Sequence, residues 1–116
     1  MARARKIPKW LSAYAKDEWK RVVPLLADKI ADCDLGSVEA YCSAVGLVRT
    51  CQETINREGI TCESASGGVS THPAVRIQSQ AMVQVKNLAI ELGLTPKSRK
   101  HSTNTVSATS IWDDVL

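Results

Sequence analysis

Two stretches of helical periodicity constrain this chain more than anything else in it. In "DLGSVEAYCSAVGLVRTCQETINREG" the residues Val38, Tyr41, Cys42, Val45, Leu47, Val48 and Ile55 form a broad apolar stripe, the pattern of a helix that buries one face. In "PAVRIQSQAMVQVKNLAIELG" Val75, Gln78, Met82, Val85, Leu88, Ala89 and Leu92 recur at the same spacing. The segment between, "ITCESASGGVST", is small, polar and glycine-paired, which predicts a loop. A loose hairpin is the alternative there, with a poor strand signal. Two long helices joined by one loop are expected to pack as an antiparallel helical hairpin, so the fold class expected is all-α.

The helix ends carry their own signals. Asp32 or Asp34 can cap the first long helix and Gly59 closes it; Thr71 or His72, with Pro73 behind it, opens the second. A helix from Leu35 to Arg57 would run roughly 35 Å. Gly36 and Gly46 inside it each cost about 1 kcal/mol relative to Ala, so Gly46 reads either as a close approach by a neighbour or as a tolerated imperfection. In "LGLTPKSRK", Gly93 suits a left-handed stop, Thr95 a new cap and Pro96 a first helical position.

Upstream, "KWLSAYAKDEWKRVVPLLADKI" is amphipathic, with Ser12 as cap and Ala13, Ala15, Trp19 and Val22 or Val23 at helical spacing. Pro24 removes a backbone donor, which predicts a kink or restart and a short second turn from Pro24 to Ile30. The organisation expected is a basic arm over 1–11, a helical segment over 12–31, the long hairpin over 32–94, a basic turn over 95–101 and a flexible tail over 102–116. "HSTNTVSATS" lacks periodicity and is expected to be disordered. The hexamer "IWDDVL" after it is acidic and apolar, a format suited to docking on a larger protein, although a lone tail Trp112 more often does nothing.

Residues 1–30 carry eight Lys or Arg against three acids, 31–64 two against six, and 65–101 five against one. Basic ends around an acidic middle suggest a polyanion that meets the termini; an uneven solvated surface is the bland reading. Cys33, Cys42, Cys51 and Cys62 have no zinc-knuckle spacing, and reduced, mostly buried thiols are expected instead. His72 and His101 have no evident nucleophile partner, "SGGVS" lacks a phosphate loop's lysine, and the acids fit a solvated helix face. Neither enzyme activity, cofactor nor metal is expected. No apolar run approaches a membrane span, and "MARARKIPKW" lacks a signal peptide's apolar stretch; a soluble, intracellular protein without a membrane partner is expected. Ile77, Val83 and Ile90 make a second side of the later helix apolar, and a neighbouring copy would cover it most economically.

Several of these stretches together resemble a known family. "IPKWLSAYAKDEWKRVVPLL" resembles the opening of small terminase subunits from tailed bacteriophages, with a proline, a Leu-Ser pair and a Trp-bearing helix ending in an apolar-Pro-x-Leu run. "DLGSVEAYCSAVGLVRTCQETINREG" is similar to that family's aspartate-led long helix, "HPAVRI" to its Pro-started next helix, and "LAIELGLTPKSRK" to its ending. The resemblance covers about residues 7 to 100 in order. It implies a non-enzymatic DNA-packaging protein of the host cell cytoplasm that forms an oligomeric ring, binds double-stranded viral DNA and regulates the large terminase subunit. Oligomer contacts are then expected from Val38, Tyr41, Val45, Val48, Ile55, Met82, Val85, Leu88 and Leu92. The helix after Asp34 is acidic, which disfavours it against phosphates. DNA contact is therefore expected at Arg3, Arg5, Lys6, Lys9, Lys16, Lys20 and Arg21, and secondly at Lys97, Arg99 and Lys100. Ile111, Trp112, Val115 and Leu116 are the candidates for large-subunit docking. A small dimeric DNA-binding regulator and a helical adaptor with incidental charge are the competing readings.

Overall fold

Ala15, Trp19, Val22 and Leu26 recur every three or four residues, and in the computed structural model they are the buried stripe of a first helix, α1 (Ala13–Leu26), with Leu11 buried just ahead of it. The structure describes residues 5–26, 29–96 and 98; Arg3, Lys97, Arg99, Lys100, Ile111, Trp112, Val115 and Leu116 lie outside the described residues, as does the expected tail. Ser12 caps α1, its Oγ accepting from the Ala15 N–H at 3.3 Å. The helix does not restart at Pro24 but runs through it to Leu26. Val22 and Leu26 on either side are buried, which holds the turn in place. The carbonyl left without its N–H donor belongs to exposed Lys20, where solvent can satisfy it.

A short 3-10 turn, Asp32–Asp34, leads into α2 (Leu35–Glu58). Of the two candidate caps, Asp34 serves that turn: its carboxylate accepts from the Ala31 N–H at 2.8 Å and makes no cap bond to α2. Gly59, at φ 86°, closes α2 with its N–H on the Ile55 carbonyl at 2.7 Å.

The segment after Gly59 is a hairpin, so the fold is mostly helical with a small two-stranded sheet rather than purely α. β1 (Thr61–Glu63) pairs antiparallel with β2 (Val69–Thr71), Cys62 opposite Ser70. Turn chemistry drives it: the Gly67 and Gly68 N–H groups donate to the Ser64 carbonyl and Oγ at 2.9 and 3.1 Å, and Gly67 takes φ 89°. His72 then caps α3 (Pro73–Glu91), its Nδ1 accepting from the Ala74 N–H at 3.0 Å with Pro73 in the first turn.

Contacts step down α2 as they step up α3. His72 Nε2 lies 3.1 Å from Glu58, Gln78 donates to Gln52 at 2.9 Å and to the Val48 carbonyl at 3.1 Å, and Ala89 joins the core with Val38, Tyr41 and Cys42. The two helices therefore lie side by side in opposite directions. The stripe of α1 packs on the same core, and its start crosses α2 at Gly46. A Cβ there would stand 2.7 Å from Ser12 Oγ and 3.1 Å from Ala15 Cβ, so Gly46 is a close approach. Gly36 faces open space.

The end of α3 is a stop and a start in immediate succession. Gly93, at φ 75°, donates to Ile90 at 3.2 Å and Leu94 to Ala89 at 2.8 Å, the paired bonds of a Schellman stop. Thr95 Oγ1 then accepts from the Ser98 N–H at 3.1 Å while Ser98 Oγ accepts from the Thr95 N–H at 3.3 Å, a reciprocal cap for a helical turn begun by Pro96.

Candidate nucleic-acid interface

The buried stripe of α1 contains one residue that breaks its chemistry. Glu18 is 2% exposed, although acids were expected on solvated faces. A carboxylate taken out of water demands partners, and this one has them on two helices. Arg21 donates through Nε to Glu18 Oε1 at 2.9 Å and through Nη2 to Oε2; the Tyr41 hydroxyl donates to Oε2 at 2.7 Å; Arg49 Nη2 stands 3.8 Å from Oε1.

Burial pushes the Glu18 carboxyl upward, but the hydrogen bonds from Arg21 and Tyr41 and the two arginine charges outweigh it, leaving the group below the usual carboxylate range. Hydrogen bonding to Glu18 holds the Arg21 guanidinium protonated well above its ordinary value. Burial, then the hydrogen bond to Glu18, lifts Tyr41 to about 12, and burial, then the Glu18 charge, lifts the Cys42 thiol to about 12. One carboxylate facing two guanidiniums leaves a positive surplus at the α1–α2 surface. The Arg21 and Arg49 side chains keep 57% and 46% exposure, so that surplus faces solvent.

The sequence-expected cations divide into two kinds. Lys6, Lys9 and Lys20 are exposed and Lys16 is half-buried, with Lys16 and Lys20 one turn apart on α1. Arg5 is built into the fold: its side chain is 11% exposed, donates to the Ile30 carbonyl at 3.2 Å and lies 3.7 Å from Asp32. Residues 5–11 are anchored as well, since Trp10 Nε1 donates to Glu39 at 3.1 Å and Leu11 is buried. Arg49, which is not among the sequence-expected cations, stands with Arg21 at the α1–α2 surface through their shared partner Glu18.

The residues expected at oligomer contacts also divide. Val38 and Tyr41 are buried inside the protomer, and Val45, Val85, Leu88 and Leu92 pack against that core. Val48 and Ile55 are half-buried and Met82 is 48% exposed. Leu47, Ile77, Val83 and Ile90 are exposed too, and a cleft of about 140 Å³ lies between Val45, Val48, Arg49, Met82 and Val85.

All four thiols are free: Cys42 and Cys51 are buried, Cys62 is half-buried and Cys33 is exposed. Among the described residues no three His, Cys, Asp or Glu are grouped to hold a metal ion, and no helix is long and apolar enough to cross a membrane.

A family model described as phage terminase, small subunit, matches residues 15–108. No curated protein and no solved structure gives a match.

Proposed function

The chain belongs to the phage terminase small-subunit family, and from that premise we propose that it is the DNA-binding, regulatory subunit of a tailed-phage packaging machine. It acts without catalysis of its own, in the host cell cytoplasm, as an oligomeric ring that engages double-stranded viral DNA and the large terminase subunit. The observation that carries this reading beyond the family is the second side of α3. Val83 and Ile90, two turns apart on one face, are 58% and 40% exposed, and Met82 and Leu47 add to the apolar surface. That surface is what a neighbouring copy would cover, so the oligomer contact centres there and on the Met82 cleft. Lys9, Lys16, Lys20, Arg21 and Arg49 supply phosphate affinity, which positions DNA without reading bases. The hexamer "IWDDVL" is the proposed docking element for the large subunit.

Native mass spectrometry tests the assembly. The purified chain should appear as a closed assembly of many copies, and Val83→Glu with Ile90→Lys should reduce it to smaller species that keep their helical content. A folded monomer at high concentration would sink the reading. A species of two copies that binds DNA would return it to a dimeric regulator.

A further inference from the structure

Where the end of α1 meets the end of α3, a pocket of about 360 Å³ opens between Arg21, Leu25, Lys29, Tyr41, Gly93 and Leu94. Its chemistry is mixed in a particular way. Leu25 is 58% exposed and Leu94 is half-buried, so part of the wall is apolar surface left in water. Arg21 and Lys29 supply cations at the rim. Glu18, the acid beside Arg21, is already held by Tyr41 and two arginines. A pocket whose described lining has greasy walls, two cations and no uncommitted acid suits a ligand that is apolar and anionic at once.

The chain carries such a ligand. Residues 111–116 read "IWDDVL", and Asp113 and Asp114 are the only acids after Glu91. The covalent path is also short. Leu94 is a pocket wall, Ser98 lies four residues beyond it, and Trp112 lies fourteen residues beyond Ser98. A polypeptide coil of that length spans about 20 Å on average. A tethered ligand within that range meets its site at an effective concentration on the order of millimolar, so a weak contact suffices to fill it.

The geometry points to residues 111–116 of the same copy as the occupant of this pocket, with Trp112 against Leu25 and Leu94 and with Asp113 and Asp114 toward Lys29 and Arg21. The hexamer held there is withheld from any other protein until a competitor displaces it. The inference stands whether or not the chain is a packaging subunit, because it uses only the pocket and the sequence of its own end.

A water-soluble carbodiimide, which joins a lysine amine to a carboxylate within contact distance, tests it in the full chain. Digestion and mass spectrometry should recover Lys29 joined to Asp113 or Asp114, and Trp112→Ala should lower that product about tenfold by removing its apolar burial. In a mixture of isotopically light and heavy chains the product should stay within one isotope. Mixed-isotope products alone would seat a neighbour's segment there and overturn the inference, as would Asp113 and Asp114 joining Lys9, Lys20 and Lys86 as readily as Lys29. Iodide quenching supplies an independent reading in a Trp10→Phe chain, where Trp19 is buried. Trp112 should be sheltered there and released by Lys29→Glu; a freely quenched Trp112 with Lys29 in place overturns the docking.

Discussion

The Tyr41 hydroxyl donates to Glu18 across the α1–α2 interface at 2.7 Å, on the same carboxylate that Arg21 grips from one turn away. Removing the acid leaves a buried hydroxyl without its acceptor and frees two guanidiniums. Breaking a fully buried ion pair costs about 3–5 kcal/mol, but these arginines are half in solvent, which reduces the figure to about 2 kcal/mol for Glu18→Ala. Tyr41→Phe removes one hydrogen bond and leaves the arginine partners in place, for about 1 kcal/mol. Urea denaturation of both variants checks the order. Equal losses would mean that the arginines contribute nothing.

The same cluster sets the pH range of the fold. Glu18 is depressed in the folded state, so its contribution is present above its ordinary value of 4.5 and is lost as pH falls through the lower folded value. Tyr41 and Cys42 are raised, from 10 and 9 to about 12 each, so the unfolded chain sheds those protons first and stability declines as pH climbs from 9 toward 12. Urea midpoints measured across both limbs should fall at each end. Glu18→Gln should flatten the acid limb, and by removing the charge that helps to raise Tyr41 and Cys42 it should also soften the alkaline limb.

Two glycines of one helix should respond to alanine with opposite signs. Gly36→Ala meets nothing within 4 Å and gains helix propensity, stabilising by up to about 1 kcal/mol. Gly46→Ala drives a methyl into Ser12 and the Ala15 backbone, and overpacking of this kind costs about 1–3 kcal/mol. Thermal melts of the two variants separate a spacer from a contact point.

DNA affinity should be tested on lysines that the fold does not use. Lys16→Gln with Lys20→Gln removes two α1 cations while leaving Arg21 on Glu18. Each phosphate that is no longer neutralised should flatten the slope of log affinity against log salt by about 0.9. Fluorescence anisotropy over a salt series reads this directly; an unchanged slope would take α1 off the DNA.

The long helices were legible because periodicity and end chemistry agreed at the close of α2 and at both ends of α3; at the start of α2 the expected aspartate serves the preceding turn instead. The stripe ran to Ile55, one turn before Gly59, Pro73 opened α3, and the Gly93-Leu94-Thr95-Pro96 run specified both a stop and a restart. Gly46 was ambiguous, since sequence shows a missing side chain but not what approaches it. The hairpin escaped because its strands are three residues each and almost wholly exposed, so no alternation marks them; only Ser64, Gly67 and Gly68 announce it. Glu18 was read with the acids of a solvated face although it stands at helical spacing from Ala15 and Val22, because Tyr41 and Arg49, which hold it in the core with Arg21, lie on α2, 23 and 31 residues away. Val38 and Tyr41 show the same limit: apolar spacing identifies a face, and only the fold decides whether α1 or a second copy covers it.

The Schellman stop ends on Leu94 and the reciprocal cap begins on Thr95, with no residue spared between them. Such a junction is an elbow and not a swivel: both sides are locked by their own satisfied amides. Lengthening it by even one residue would break the direct hand-over from stop to restart, so apart from Gly93, Thr95 and Ser98, whose chemistry makes the junction, this part of the chain should tolerate substitution far better than insertion.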